Sequence, residues 1–211
     1  MARPFVRLFA LCWWVPICGC VDKPSRIQAP SWDPSGFAQE VMEKLDTSGD
    51  SQIDEGELAA APGLEFGAKF IDTNSDGQLS HEELVERFQF YVDRRIGLTS
   101  KTMQFIYKGR PLARTEVKLV PEFFLTDLLE PATGTTDDGG MVLPDIPSND
   151  LRTPMMRPGY YRVEITSAAL PAQVNAATTV GVEVSPASDD ASTYGPIVIR
   201  LDDKKKTGGR L

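Results

Sequence analysis

Between Asp46 and Glu83 the chain holds two acidic stretches of twelve residues in tandem, and no other feature limits its folding as tightly. The second reads D-T-N-S-D-G-Q-L-S-H-E-E, Asp72 to Glu83. Oxygen-bearing side chains fall at positions one, three, five and nine, namely Asp72, Asn74, Asp76 and Ser80. Gln78 at position seven offers its backbone carbonyl, and Glu83 at position twelve offers two carboxylate oxygens. Gly77 stands at position six, where the chain must turn sharply. A hard cation such as Ca2+ takes six to eight oxygens in one shell, and a tight loop with this spacing supplies them. Leu79 at position eight is apolar and suits a short strand paired with a sister loop.

The sister is D-T-S-G-D-S-Q-I-D-E-G-E, Asp46 to Glu57. Asp46, Ser48, Asp50, Asp54 and Glu57 occupy the side-chain positions, Gln52 supplies the carbonyl at seven, and Ile53 sits at eight. Together the two loops follow the EF-hand calcium pattern. They differ in two ways. Loop one has Ser51 at position six with Gly49 two residues earlier, and a non-Gly residue at positive φ costs on the order of 1 kcal/mol. Loop one also carries four carboxylates to loop two's three. A single acidic loop of this kind is equally a surface turn rich in Asx residues. Two in tandem, each with the apolar residue at eight and Glu at twelve, point to metal. His81, the only histidine, falls at position ten of loop two and is read as a solvated helix-start residue.

The chain has 211 residues, 41% of them hydrophobic, with a net charge of -8. That composition has room for one or two small domains. Residues 1–19 read as an export signal. Arg3 and Arg7 form a positive start, and Leu8 to Ile17 is an apolar run of ten, too short to span a bilayer as a helix. I-C-G-C follows, ending at Cys20. An aliphatic residue, two small residues and a cysteine after an apolar run form the pattern cut before a lipid-carrying cysteine; an ordinary signal cut nearby is the alternative. Cys12, Cys18 and Cys20 are the only cysteines, so a chain starting at Cys20 has no disulfide. Losing Arg3 and Arg7 moves the net charge from -8 to -10. Such acidity disfavours nucleic acid as a partner and suits a calcium-rich space outside the cytoplasm.

Residues 20–32 read as a tether. Residues 33–97 form a helical unit around the two loops. Asp33-Pro34 starts a helix, and Phe37, Val41 and Leu45 give its inner face. Trp32 is expected to pack on it as a staple. Asp54 with Glu57, and Ser80 with Glu83, form capping pairs for the two exiting helices. Pro62-Gly63 is expected to break the short segment between the loops into two helices of about two turns each. The last helix is expected to bury Leu84, Val85, Phe88, Val92 and Ile96 and to stop at Gly97.

From there the period changes to two. Met103, Phe105 and Tyr107 alternate with polar neighbours, as do Thr115, Val117 and Leu119. So do Tyr161, Val163 and Ile165, then Val180, Val182 and Val184, then Ile197, Ile199 and Leu201. Residues 98–203 therefore read as an antiparallel β-sandwich, and the whole as an α+β chain of two domains with a loose tail at 204–211. The long stretches 121–135 and 144–158 are candidate contact loops or irregular packing.

Several of these residues together resemble a known family, the bacterial envelope lipoproteins with an EF-hand pair and a carboxypeptidase-regulatory-like, transthyretin-type β domain. The stretches that carry the resemblance are I-C-G-C at Cys20, two calcium loops joined through A-P-G-L, K-G-R-P-L-A-R-T-E-V-K-L-V-P-E from Lys108 to Glu122, and A-T-G-T-T-D-D-G-G from Ala132 to Gly140. The resemblance covers nearly the whole chain after Cys20. It implies a structural or binding module without chemistry of its own. Ser51 and the short segment between the loops depart from the usual pattern.

With its one histidine inside a calcium loop, the chain has no base for Ser-His-Asp or Cys-His catalysis. After Cys20 no cysteine is left for a zinc cluster, and no phosphate-cradling glycine loop is present. The expectation is a lipid-anchored, calcium-binding structural or interaction module of the bacterial cell envelope, not an enzyme. Its membrane contact is the anchor at Cys20, and a protein or polysaccharide partner falls to the β domain. The alternative is a dockerin-like module that recruits a separate enzyme or scaffold protein, for which the two exiting helices should match.

Overall fold

In a computed structural model of the chain the described residues are 27–167, 170, 180–186 and 195–201. The expected signal segment 1–19, the expected lipidation residue Cys20, residues 21–26 of the expected tether and the expected tail 204–211 lie outside them. The fold is mixed α/β, with four helices and several antiparallel pairings. Among the described residues no helix is long and apolar enough to cross a membrane.

Helix α1 spans Pro34–Leu45, with Pro34 at its first position and Asp33 accepting the N–H of Gly36 at 3.1 Å. Trp32 lies edge-on to Phe37 at 5.9 Å between ring centroids, which is the expected staple, and it also stacks on Tyr91 at 4.2 Å. After loop one come the two-residue strand β1 (Gln52–Ile53) and the single turn α2 (Glu55–Leu58). Helix α3 spans Pro62–Ile71, loop two and β2 (Leu79–Ser80) follow, and α4 spans His81–Arg94.

Two readings of this half need correction. Pro62-Gly63 opens α3 rather than separating two equal helices: proline at the first helical position lacks an N–H that would be unpaired there anyway. The break falls earlier, at Ala59–Ala61, so the inner helices are four and ten residues long. In α4 the buried face is Leu84, Phe88 and Tyr91, with Glu83 beside them. Val85 and Val92 are only half-buried and Ile96 is 37% exposed. The helix stops at Arg95, which takes the left-handed conformation at φ 53°, two residues before Gly97.

The remaining strands are β3 (Met103–Tyr107), β4 (Arg110–Pro111), β5 (Glu116–Pro121), β6 (Ala132–Thr135), β7 (Met141–Val142), β8 (Gly159–Thr166), β9 (Gly181–Val184) and β10 (Ile197–Arg200). One sheet runs β6–β5–β8–β9, antiparallel throughout. In the other, β3 pairs antiparallel with β4 and β7 but parallel with β10, where Ile197 is opposite Met103. The parallel pair departs from the all-antiparallel expectation, because alternation reports which face a residue takes and not the direction of its strand. The expected inward residues Val117, Leu119, Tyr161, Val163, Ile165 and Ile199 are buried. Strand β9 does not alternate. All four of its residues are buried, Glu183 included, because α3 covers the side expected to face water.

Helices and sheets share one hydrophobic core. Phe88, Phe124, Tyr91 and Tyr160 form an aromatic group where they meet, with ring centroids 5.4 to 6.1 Å apart. The long stretch after β5 is part of this junction: a 3₁₀ turn, Phe123–Leu125, buries Phe124 and Leu125 and sets Phe124 against Phe37 of α1. The stretch 144–158 is also packed, through Ile146 and Met156.

Glycines let α3 reach the sheet. A Cβ at Gly63 would stand 2.9 Å from the backbone nitrogen of Tyr161, and one at Gly181 would overlap the backbone of Pro62 and Gly63. Backbone cannot step aside as a flexible side chain can. Gly181→Ala is expected to destabilise the chain by about 3 kcal/mol, at the upper end for overpacking, as read by urea denaturation. A loss within about 0.5 kcal/mol would show that α3 does not sit this closely on β9 in solution.

Candidate metal centre

Loop one joins α1 to α2, and loop two joins α3 to α4. Strands β1 and β2 pair antiparallel, with Gln52 opposite Ser80 and Ile53 opposite Leu79, so the two loops lie back to back. Ile53 and Leu79, the position-eight residues, are 0% and 1% exposed. Burying this pair ties the loops to the core and turns their polar rims outward.

Each loop is shaped by its own side chains. Asp46 at position one accepts the N–H groups of Gly49 at 2.7 Å and Ser51 at 3.0 Å. Asp50 accepts that of Gln52 at 2.9 Å, and Ser48 Oγ donates to Asp46 at 3.2 Å. In loop two Asp72 accepts the N–H of Gly77 at 3.0 Å, Asn74 that of Asp76 at 2.8 Å, and Asp76 that of Gln78 at 2.9 Å. These turns bend each loop around its acidic residues.

Both loops pass through the left-handed region twice, at positions four and six. Loop one uses Gly49 (φ 77°) and Ser51 (φ 68°); loop two uses Ser75 (φ 62°) and Gly77 (φ 83°). Ser51 is therefore held at positive φ, as the sequence suggested. Loop two carries the same kind of strain at Ser75, which the sequence reading missed. Each loop has one glycine and one serine for the two positions, in opposite order.

The two glutamates at position twelve close the loops. Glu57 Oε1 accepts the N–H groups of Thr47 at 2.8 Å and Ser48 at 2.9 Å, while Oε2 accepts that of Asp54 at 3.0 Å. Glu83 does the same with Thr73 at 3.0 Å, Asn74 at 3.4 Å and Ser80 at 3.0 Å. Asp54 and Ser80 in turn accept the N–H groups of Glu57 and Glu83, completing the two expected capping boxes. Glu83 is buried at 7% exposure, and Glu57 is only partly covered. The Glu57 carboxyl is held below its ordinary value of 4.5 by the N–H of Asp54 first and then that of Ser48. For Glu83 burial is the largest influence and opposes the charge, but hydrogen bonds from Ser80, Asn74 and Thr73 outweigh it and leave the value lowered.

The donor set fits a hard cation. Every expected ligand position carries oxygen, and Asp72 Oδ1 at the head of loop two is buried without a hydrogen-bond partner. An orphaned buried carboxylate oxygen is costly unless a cation or ordered water meets it. As they stand, no three carboxylate, imidazole or thiol groups among the described residues are gathered closely enough to hold a metal ion. Glu57 and Glu83 are turned to the N–H groups of the loop starts, with which a cation would compete for their carboxylates. The residues that would hold Ca2+ are Asp46, Ser48, Asp50, Gln52, Asp54 and Glu57 in loop one, and Asp72, Asn74, Asp76, Gln78, Ser80 and Glu83 in loop two.

Sequence reasoning missed two buried acids next to this centre, Glu122 and Glu183, 1% and 4% exposed. Glu183 fell on a strand position expected to face water, and Glu122 in the long stretch 121–135 read as a contact loop or irregular packing. Compared with known protein families, curated proteins and solved structures, the chain matches none.

Two outcomes are expected. Replacing Ser51 or Ser75 by glycine relieves the positive φ at the cost of a looser unfolded chain, for a net gain of about 0.5 kcal/mol in urea denaturation; Gly77→Ala loses about 1 kcal/mol. The lowered carboxyls contribute stability above the unfolded value of 4.5, and it is lost as the pH falls through their folded values. Amide protection at Thr47, Ser48 and Thr73, corrected for intrinsic exchange, should therefore collapse on acidification below about 4.5. Protection that persists in acid would mean the glutamates do not close the loops.

Proposed function

We propose that the chain is a lipid-anchored, calcium-binding structural module of the bacterial cell envelope, with an EF-hand pair seated on a β-sandwich. The observation that carries the calcium reading is the buried, unpartnered Asp72 Oδ1 at position one of a twelve-residue loop whose other ligand positions all bear oxygen. The back-to-back pairing of β1 with β2 and the two position-twelve glutamates support it. The anchor at Cys20 and the exported location rest on the sequence of the first twenty residues, and the kinship to envelope lipoproteins rests on the quoted sequence stretches.

When bound, calcium supplies charge neutralisation and a rigid centre for each loop. The residues of the chain do the rest. Asp46 and Asp72 hold the loop turns through their N–H contacts, Ile53 and Leu79 fix the two loops to each other, and Glu57 and Glu83 tie each loop end to its exiting helix. A structural role is supported over dockerin-like recruitment because the exiting helices are unequal, four residues in α2 against fourteen in α4. The inner face of α4 is also already committed to the core.

Calorimetric titration of the full chain is expected to show two calcium sites, with thermal stability that rises with calcium and falls with EDTA. One occupied site adds about 2.7 kcal/mol at a calcium concentration near 100 times its dissociation constant. Glu83→Gln should lower both the affinity and the melting temperature. A melt that moves with neither calcium nor EDTA would sink the proposal.

A further inference from the structure

Loop two hangs between α3 and α4, and each of these helices is gripped by a buried carboxylate from the β-sheet. At the start of α3, Gly63 donates its N–H to Glu122 Oε1 at 2.7 Å. Two turns into α4, Arg87 donates to Glu183 Oε1 from Nε at 3.0 Å and from Nη2 at 2.7 Å. The hydroxyl of Tyr91, one turn further on, donates to the same oxygen at 2.7 Å. Glu183 also faces α3, since a Cβ on Gly67 would stand 2.8 Å from its Oε2.

The two acids lie on either side of β8. Glu122, the residue that follows β5, donates its N–H to the carbonyl of Tyr160, and Tyr160 is registered opposite Glu183 of β9. Residues opposite one another in an antiparallel sheet share a face. Glu122, Tyr160 and Glu183 therefore form one row across β5, β8 and β9, two carboxylates flanking a fully buried ring, all turned to the helices. Burial is the strongest influence on Arg87 and works against its charge, but Glu183, Tyr160 and Tyr91 together outweigh it and leave its pKa raised. Loop one is held otherwise. Its entering helix meets the β segment through the rings of Phe37 and Phe124 and through Lys44 over Phe123, at 4.1 Å from its centroid. Its exiting helix is a single turn.

We infer that the row Glu122–Tyr160–Glu183 is a brace for loop two. Glu122 and Glu183 are positioning residues that set the spacing of α3 and α4, and through it the arrangement of oxygens from Asp72 to Glu83. The sheet preorganises loop two through hydrogen bonds to both of its helices, whereas loop one meets this row only through the charge of Lys44 near Glu122. The inference deepens the calcium reading, and its affinity arm rests on that reading; its exchange arm does not.

The test uses the full chain with Glu183→Gln and, separately, Glu122→Gln, with folding checked by circular dichroism and by protection of the β5–β6 amides. In EDTA, hydrogen exchange at the amides of Thr73, Gly77 and Gln78 should speed roughly tenfold, while Thr47, Ser51 and Gln52 keep their rates. In calcium titrations on a Glu57→Gln background, Glu183→Gln should weaken loop two roughly tenfold, and on a Glu83→Gln background it should leave loop one unchanged. If Glu183→Gln does not fold, Arg87→Lys keeps the charge pair while losing the two-point grip, and the same pattern at smaller size is expected. Equal acceleration in both loops, or an unchanged loop two in a folded variant, overturns the brace. A parent chain that binds no calcium overturns the calcium reading, and the exchange pattern still decides the brace.

Discussion

The close approach of α3 to β8 and β9 is the constraint on which the rest of this structure depends. Gly63, Gly67 and Gly181 remove the side chains that would keep helix and sheet apart. That proximity lets a backbone N–H of the first turn of α3 reach Glu122, and brings Glu183 under both α3 and α4. A buried carboxylate needs partners, and Glu183 Oε1 receives three hydrogen bonds while its Oε2 is buried without one. Among the described residues none of the four helices exceeds fourteen residues, a length marginal for an isolated helix in water. Their stability must come from the shared core and from these contacts, so the helical half is better understood as a layer laid on the sheet than as a unit beside it.

Within that layer each loop solves the same geometric problem with a different residue order. Two left-handed turns are required, and each loop answers with one glycine and one serine. The strain is therefore distributed evenly, and Ser51 is not a defect peculiar to loop one. The difference between the loops lies instead in their surroundings: loop two has the buried Glu83, the orphaned Asp72 Oδ1 and long helices on both sides, while loop one opens into a single turn.

Local rules were legible in the sequence wherever the physics is local. The cap at Asp33, both capping boxes, the Trp32–Phe37 staple, the β1–β2 pairing of Ile53 with Leu79 and the inward faces of β5 and β8 all followed from spacing alone. What spacing could not give was anything decided by a distant partner. The sequence of β9 alternates apolar with other residues, which places Glu183 in water unless another layer covers it. Arg87 and Tyr91 are the covering partners, more than ninety residues away in the chain. Tyr91 displaced Val92 from the buried face of α4 for the same reason: it has an acceptor to reach. The parallel pairing of β3 with β10 is likewise a matter of topology, invisible to a period of two. Gly181 and Gly67 left a readable trace, since a glycine inside a strand or helix is unfavourable unless another backbone or a buried group comes close.

These contacts also bear on what a bound cation can do. In an EF-hand sensor, calcium changes the angle between the helices that flank a loop and opens an apolar groove. Here α3 and α4 are each tied to a single sheet, Phe88 and Tyr91 of α4 pack on Tyr160, and Gly67 of α3 approaches the same ring. Changing that angle would pull Arg87 and Tyr91 from a carboxylate that is only 4% exposed, and would leave three strong hydrogen bonds unmade at once. The free energy of binding a cation would then go into drawing the loop oxygens together between helices that stay in place, as at a structural site. The brace and the calcium reading thus support one another on physical grounds: a loop built between pinned helices favours constant occupancy over response.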